Sequence, residues 1–328
     1  MPPPAAQLTA RSASAVRDGA AAGAAVLAWW RRSAVRRERD GLPWRRAADG
    51  GPPDPWAVLV SEVMLAQTQL KRVSARYPSF TARFPAPAQL ASAPLREVLE
   101  LWDGLGYPRR ALALRQAAAI IAAEHNGSVP RELPALLALP GVGPYTARAV
   151  LAFGYDLPAM PIDTNVGRVL ARALAGVRLG PSTAQSLGDS LLGPAPRSGR
   201  ARALAVMDLG ATVCTARSPR CDRCPLASRR SGRPPLCRYA ALAAEGPVAD
   251  PASGSSGVSR PQARFEGSDR EARGRLLRAA ARRPLPPREL PAAAGWPGDP
   301  VRAERVAESL VTDGLLARTA IGEYSIAP

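Results

Sequence analysis

The stretch LPALLALPGVGPYTARAVLAFGYD, residues 133–156, holds two apolar helical segments separated by a turn, PGVG. Pro144 directly follows the turn and takes the first position of the second helix. Proline suits that position because the N–H that it lacks would have no partner within the helix. The glycines let a ligand approach the backbone, and the free N–H groups of the new helix attract anions. The stretch therefore predicts a hairpin of two helices with an anion site at Gly141, Val142 and Gly143.

The charge of the chain indicates the kind of anion. Its 44 Lys and Arg residues against 27 Asp and Glu residues give a net charge of +17. Such an excess is typical of nucleic-acid binding, because cationic side chains neutralise phosphates. Codon bias explains why Lys71 is the only lysine, but it leaves the excess over acidic residues unexplained. We interpret the turn as a helix-hairpin-helix that holds a nucleic-acid phosphate; an ordinary turn between helices is the alternative.

The body of the chain reads as short amphipathic helices from Ala24 to about residue 240, punctuated by Pro and Gly. Runs of Val, Ile and Thr with period-two alternation are absent there, so we predict an all-α fold. Residues 1–23 are rich in Pro, Ala and Ser and predict a disordered N-terminal tail.

The end of the chain has a different composition. Residues 241–267 (ALAAEGPVADPASGSSGVSRPQARFEG) have the low complexity of a linker. Residues 268–328 contain three helical segments and then a short strand pair. That order predicts a small winged-helix-like C-terminal module, and an all-helical cap is the alternative.

Two carboxylates stand out in apolar helical segments. Glu62 lies among Val58, Leu59 and Val63, where partial desolvation would raise its pKa and let it hold a proton near neutral pH. A solvent-facing glutamate on an amphipathic helix is the alternative. Asp163 precedes the start of a helix, TNVGRVLARAL, and taken by itself it is explained by an N-cap.

All four cysteines lie in one arginine-rich stretch, residues 214–237. No apolar run approaches the roughly 20 residues of a membrane helix, so we expect a soluble bacterial protein of the cytoplasm, associated with the nucleoid. Clustered cysteines in a reducing compartment favour a metal site over disulfides. From the spacing alone, zinc is the commonest choice. The candidate ligands are Cys214, Cys221, Cys224 and Cys237.

Five segments of this chain, in this order, resemble the helix-hairpin-helix DNA glycosylases that carry an iron–sulfur cluster. They are SEVMLAQTQ, LWDGLGYPRRALAL, LPGVGPYTARAVL, PIDTNVGRVLARAL and MDLGATVCTARSPRCDRCPL. The resemblance covers residues 24–240 and implies a six-helix barrel with an iron–sulfur cluster module in loop 214–237.

Within this superfamily, SEVMLAQTQ is most similar to the MutY family, which is specific for adenine. The endonuclease III branch uses a lysine nucleophile where this chain has Tyr145, and arginine cannot replace an amine because it stays protonated. The resemblance therefore implies a monofunctional glycosylase of base excision repair. Such an enzyme hydrolyses the N-glycosidic bond of adenine mispaired with 8-oxoguanine or guanine and leaves an abasic site.

The resemblance also implies a role for each motif residue. Glu62 is the general acid and base, Asp163 stabilises the oxocarbenium-like sugar, and the Tyr145 hydroxyl lies near that sugar; glycosidases likewise use two carboxyl groups. Gln67 wedges into the base stack beside the extruded adenine. The residues that line the adenine pocket are Trp44, Arg45 and Asp208.

Some positions depart from the family pattern. Ala66 replaces the first of two glutamines, and Pro108 replaces the second of two tyrosines, which bears on mismatch recognition. Cys214, Cys221 and Cys224 have the family's C-x6-C-x2-C spacing for a [4Fe–4S] cluster. Cys237 lies further along the chain than the family's fourth cysteine, and the extra segment ASRRSGRPP is predicted to loop out.

The expected partner is double-stranded DNA with A:8-oxoguanine or A:G mispairs, and the expected state is a monomer. Two alternatives remain. One is a related endonuclease III-like glycosylase with another base preference, and the other is a non-catalytic iron–sulfur protein that binds DNA and senses redox state. Phosphate binding needs neither Glu62 nor Asp163, so the presence of both acids favours an enzyme.

Overall fold

The computed structural model describes residues 5–46, 51–193, 199–227, 235–258 and 264–328. Helices dominate these residues, as the all-α prediction requires, and the named strands among them form one C-terminal hairpin. The helices before the hairpin motif are α1 (Ala5–Arg32), α2 (Ala34–Asp40), α3 (Pro55–Leu65), α4 (Leu70–Arg83), α5 (Pro87–Ser92), α6 (Leu95–Trp102), α7 (Arg109–Glu124) and α8 (Leu133–Ala138). The later elements are α9 (Pro144–Ala149), α10 (Thr164–Val169), α11 (Pro181–Ser190), α12 (Gly199–Thr212), α13 (Arg238–Ala243), α14 (Asp269–Arg282), α15 (Leu290–Ala294), α16 (Pro300–Thr312), β1 (Leu316–Arg318) and β2 (Tyr324–Ile326).

Two of these helices continue with π-helical hydrogen bonding. Helix α9 runs on through Val150–Gly154, and α10 runs on through Leu170–Ala175. The second extension ends at Gly176, whose φ of 68° is the left-handed conformation that glycine adopts without strain. Helix α10 and its extension therefore form one continuous helical segment, residues 164–175, which starts directly after Asp163.

The chain divides into two compact units, both built from separate stretches of sequence. One unit consists of Trp56–Val142 and Gln262–Pro328. In its core Phe80 packs edge-on against Phe84, with ring centroids 5.0 Å apart, and against Trp102 at 5.7 Å. Leu59, Met64 and other apolar side chains of α3 to α8 complete this core with almost no exposure.

The C-terminal residues belong to the same unit. The order α14, α15, α16, β1, β2 follows the helix–helix–helix–hairpin pattern read from the sequence, and β1 pairs antiparallel with β2. A bridge from Leu285 to Tyr324 adds to this hairpin, and Tyr324 is fully buried. Arginines of helix α14 contact the connection between α6 and α7. Arg270 Nη1 donates to Tyr107 Oη at 2.8 Å, and Arg278 pairs with Asp103 at 3.1 Å.

The other unit consists of Met1–Pro55 and Gly143–Pro261. Helix α1 packs against α11 and α12, and α10 packs against α12. Close approach is possible because the backbone of α1 meets Leu191 at Gly23, where a Cβ would lie 1.9 Å from a carbonyl oxygen. Helix α1 begins at Ala5 and so extends into the segment for which the composition predicted a disordered tail. Alanine has the strongest intrinsic preference for the helix, which accounts for the difference.

No helix in the described parts of the chain is long and apolar enough to cross a membrane.

Candidate active site and cysteine cluster

Asp163 caps the helix that begins at Thr164. Its Oδ1 accepts a hydrogen bond from the Val166 N–H at 2.7 Å, and its Oδ2 accepts one from the Asn165 side-chain amide at 2.8 Å. Burial raises the pKa of the Asp163 carboxyl above its ordinary value, although both hydrogen bonds act to lower it. An ordinary N-cap is solvated and has a low pKa because the helix dipole favours the anion. Asp163 is thus an N-cap, as the simpler interpretation of the sequence holds, but one whose desolvation is typical of functional carboxylates.

Glu62 lies in α3 and is 5% exposed. Its neighbours along the helix, Leu59 and Val63, are also buried. The alternative of a solvent-facing glutamate is therefore wrong. A carboxyl group in apolar surroundings holds its proton more readily than one in water, which is the property that a general acid needs.

The hairpin turn has the backbone that its sequence predicts. Gly141 has a φ of 74°, and a Cβ there would lie 2.8 Å from the Cβ of Ala113, so both conformation and space require glycine. Gly143 is the N-cap of α9 and Pro144 follows it in the first turn. Tyr145 is half-buried in that same turn. The turn thus presents the start of a helix next to an exposed glycine, which is the geometry of an anion site.

Arg45 and Asp208 form a buried ion pair. Two parallel hydrogen bonds join them, at 2.9 and 2.8 Å, and the indole N–H of Trp30 donates to Asp208 Oδ2 at 2.8 Å. Asp208 is 1% exposed. Trp44, next to Arg45, is also buried. The structure therefore joins Arg45 and Asp208, two of the three residues assigned to the adenine pocket, and adds Trp30 to them.

Gln67 lies in the turn after α3 and is exposed, with a φ of 57°. Left-handed backbone in a residue other than glycine is uncommon and clusters at functional sites. Tyr107 has the same feature, with a φ of 49°. Arg110 joins the segments that carry these two residues. Its guanidinium donates to Val63 O at 2.6 Å, to Thr68 Oγ1 at 2.9 Å and to Gly106 O at 2.9 Å.

Burial lowers the pKa of Arg110 to about 10. Its guanidinium also stacks over the rings of Trp102 and Tyr107, at 5.4 Å from each centroid. A planar fork that bonds and stacks at once cannot be replaced by lysine. Arg110 is thus the residue that fixes the geometry of both exposed turns.

The four cysteines come from three short segments of the chain. Cys214 follows α12, Cys221 and Cys224 bracket a single 3₁₀ turn, and Cys237 precedes α13. The extra segment between the last two lies mostly outside the described residues. The backbone nonetheless returns after it, since the Cys237 N–H donates to Leu226 O at 2.8 Å. Cys237 is therefore bonded to Leu226, which lies two residues after Cys224, despite the long spacing in the sequence.

Two buried arginines connect the helix of Asp163 to the cysteine segment. Arg168 Nε donates to Cys214 O at 2.6 Å, and its Nη2 donates to Asn165 Oδ1 at 2.8 Å. One turn later, Arg172 Nη1 approaches Cys214 Sγ at 3.6 Å, and the Cys237 thiol lies 3.8 Å from Arg172 O. Arg168 and Arg172 are 5% and 3% exposed. The helix that begins at Asp163 is therefore anchored on the cysteine segment along its length.

Comparison with known proteins agrees with this geometry. The HhH-GPD superfamily of base excision DNA repair proteins matches residues 60–183, and the iron–sulfur binding domain of endonuclease III matches residues 214–229. The adenine DNA glycosylase of Mycobacterium tuberculosis (strain ATCC 25618 / H37Rv) is 42% identical over 92% of this chain and 92% of its own length. The chain belongs to the adenine DNA glycosylase family.

The chain of this family member is also similar to glycosylases that are named for other bases. A thymine/uracil-DNA glycosylase of Pyrobaculum aerophilum is 36% identical over 62% of this chain and 87% of its own length. The solved structure of a thermostable thymine-DNA glycosylase superposes with a TM-score of 0.58 and 25% identity, covering 69% of this chain and 98% of that one. The helix-hairpin-helix glycosylase fold predicted from the sequence is thereby confirmed.

This family member carries a [4Fe–4S] cluster, as predicted, and the matched iron–sulfur domain contains Cys214, Cys221 and Cys224. Burial raises the pKa of Cys224 to about 11, and it raises the pKa of Cys221 and Cys237 as well. Repulsion from a Cys214 thiolate raises all three further. A cationic centre bound to these three thiols would favour their ionised form.

Sequence reasoning missed Trp30, Arg110, Arg168 and Arg172. Each acts through a partner that is distant in the sequence or through backbone carbonyls. A sequence motif records neither kind of contact. Two signals were available. The first is the i, i+4 spacing of Arg168 and Arg172 in an otherwise apolar helix, and the second is the double tryptophan that ends the alanine-rich part of α1.

Asp163→Asn should keep the fold and change how its stability depends on pH. Asparagine caps helices as well as aspartate does and removes the titrating charge, although it loses the bond that Asp163 Oδ2 accepts from the Asn165 amide. Because the folded-state pKa is raised, wild-type stability falls as pH rises from the unfolded value, about 3.9, through the folded value. The Tm of the variant minus that of the wild type should therefore increase from pH 4 toward neutral pH. Thermal denaturation from pH 4 to 8 measures this, and a Tm difference that stays constant or falls over this range would contradict the assigned environment.

Proposed function

We propose that this protein is a monofunctional adenine DNA glycosylase that acts on adenine opposite 8-oxoguanine or guanine in double-stranded DNA. The observation that carries the proposal is the buried Glu62 together with Asp163, a half-buried helix cap whose pKa is raised by burial, in a chain of the adenine DNA glycosylase family. We also expect the protein to act as a monomer.

Glu62 acts first in this proposal, as a general acid. Its carboxyl proton passes to a ring nitrogen of the extruded adenine, and the electron pair of the C1′–N9 bond leaves with the base. A water molecule then adds to C1′ and gives a proton back to the Glu62 carboxylate. The products are free adenine and an abasic site. The apolar surroundings of Glu62 support the role, because they favour the protonated form before the reaction.

Asp163 stabilises the positive charge that develops on the sugar. Its partial burial strengthens this interaction, because water screens the charge less there than at an exposed site. Its two hydrogen bonds hold the carboxylate in a single orientation before the substrate arrives. Tyr145 supplies a hydroxyl group near the same sugar.

Three further groups would bind the DNA. The hairpin turn, with Gly141, Val142 and Gly143, would hold a backbone phosphate. Gln67 would fill the space that the adenine leaves, and its exposed left-handed turn supports that role. Arg45 and Trp44 would contact the base. The Asp208 carboxylate already accepts three hydrogen bonds, two from Arg45 and one from Trp30, which supports a role in fixing Arg45.

Glu62→Gln should keep duplex binding and lose base release, because an amide delivers no proton. General acid–base catalysis contributes about 10²–10⁴-fold, so the single-turnover rate on A:G and A:8-oxoguanine duplexes should fall by that factor. Glu100→Gln, which removes an exposed carboxylate from α6 of the same unit, is the matched control. Full activity of Glu62→Gln would contradict the assignment of Glu62 as the general acid.

The product of the reaction should be an intact strand with an abasic site. The chain has Tyr145 where a lysine nucleophile would stand, and its only lysine, Lys71, is exposed on α4. Strand breaks should therefore appear only after treatment with alkali or heat. Borohydride should trap no stoichiometric enzyme–DNA adduct, and an adduct would show that the reaction proceeds through an amine.

The second candidate is a glycosylase specific for thymine or uracil, which the relative from Pyrobaculum aerophilum favours. The two candidates are separated by one set of duplexes, A:G, A:8-oxoguanine, T:G and U:G, under single-turnover conditions. Release of adenine alone supports the proposal. Release of thymine or uracil at a comparable rate supports the alternative.

A further inference from the structure

Residues 250–257, DPASGSSG, have the composition of a linker, yet they pack closely on the unit that holds Asp163. We name this segment the strap. Two of its residues, Ala252 and Ser255, are each 3% exposed. The strap also folds on itself, since the Ser255 N–H donates to Ala252 O at 3.1 Å and the Ser255 hydroxyl donates to Pro251 O at 2.6 Å. A solvated linker has neither buried side chains nor such hydrogen bonds.

The first end of the strap holds Arg172. Asp250 accepts from Arg172 Nε at 2.9 Å and from Nη2 at 2.6 Å, a two-point ion pair. The remaining guanidinium N–H groups donate to Thr215 O at 2.7 Å and Ala216 O at 2.9 Å. A charge-assisted fork of this kind fixes both partners in orientation as well as in distance. Asp250 thus supplies the counter-ion for the arginine that lies against Cys214.

The middle of the strap is tied to the chain that follows α10. The Leu179 N–H donates to Ser255 Oγ at 3.0 Å, and the Ser256 N–H donates to Leu179 O at 2.8 Å. Arg178 Nε donates to Gly254 O at 2.7 Å. These bonds position the rest of the strap over the start of α10.

The second end of the strap touches the first turn of α10. The Thr164 hydroxyl donates to Gly257 O at 3.0 Å. Gly257 has a φ of 82°, and a Cβ there would lie 3.0 Å from the carbonyl oxygen of Asp163. On the next turn, a Cβ at Gly167 would lie 2.5 Å from Ser256 O. The backbone of the strap therefore packs directly on the backbone of Asp163 and of the first turn of α10.

We propose that the strap is a positioning element, which holds the helix of Asp163 at both ends and so fixes where its carboxylate points. The inference rests on the proposed function, in which Asp163 stabilises the sugar cation. Catalysis by a fixed anion depends on geometry, and a displacement of about 1 Å can cost on the order of 10²-fold in rate. The catalytic unit accordingly extends to Gly257, beyond the point at which the composition places its end.

The test uses the full-length protein and four substitutions. Thr164→Val removes the hydroxyl at nearly constant volume, Thr164→Ser keeps it, and Gly257→Ala introduces the Cβ that the contact excludes. Asp250→Asn weakens the other end. Glu245→Gln removes an exposed carboxylate five residues before the strap and is the matched control. The readouts are the single-turnover rate of adenine release from A:G duplexes, duplex affinity, iron per chain and Tm.

Thr164→Val and Gly257→Ala should each slow adenine release by about 10- to 100-fold, with duplex affinity and iron per chain unchanged. Thr164→Ser should restore the wild-type rate. Asp250→Asn should slow release and also lower the iron retained per chain, because Arg172 loses its counter-ion. Glu245→Gln should match the wild type in every readout.

The proposal is overturned if Thr164→Val and Gly257→Ala release adenine at the wild-type rate. It is also overturned if Thr164→Ser is as slow as Thr164→Val, or if the rates fall only together with Tm and iron content, since the strap would then act on the fold alone. Asp163→Asn separates the two proposals. If it remains fully active, the assignment of Asp163 fails; if it is inactive while the strap variants match the wild type, only the strap proposal fails.

Discussion

Hydrogen bonds from two buried arginines to the cysteine segment are the main constraint in the unit that contains Asp163. Arg168 and Arg172 lie one turn apart on the helix that starts at Asp163, and both donate to the segment that begins at Cys214. Buried guanidinium groups are costly unless each N–H finds an acceptor. Carbonyls of that segment provide several of the acceptors, and Asp250, Gly210 O and Asn165 Oδ1 provide others. The segment and the helix of Asp163 therefore hold each other in place.

The two proposed catalytic carboxyl groups share one physical feature and differ in another. Both are desolvated, which raises the free energy of the anion. Asp163 accepts two hydrogen bonds that favour its ionised form, from Val166 and Asn165, while Glu62 lies on an apolar helix. The proposal that Glu62 supplies a proton and Asp163 an anion rests on these different surroundings.

Local chemistry decided what the sequence could predict. A few consecutive residues determine the hairpin turn, the cap at Asp163 and the cysteine spacing. The sequence pattern alone therefore predicts these features. Arg110 and the strap escaped prediction because their partners are backbone carbonyls, which leave no mark on the sequence. The strap also has the Gly and Ser content of a linker, and composition does not distinguish a segment that needs glycine for close packing from one that needs it for flexibility.

The central claim, that the cysteine segment holds the helix of Asp163 in place, is tested most directly by hydrogen exchange before and after removal of the iron–sulfur cluster. Amides of residues 166–175 should lose protection on the order of tenfold or more when the iron is removed, because the arginines lose their fixed acceptors. Amides of α7, in the other unit, should keep theirs and serve as the internal reference. Unchanged protection of residues 166–175 in the cluster-free protein would contradict the account.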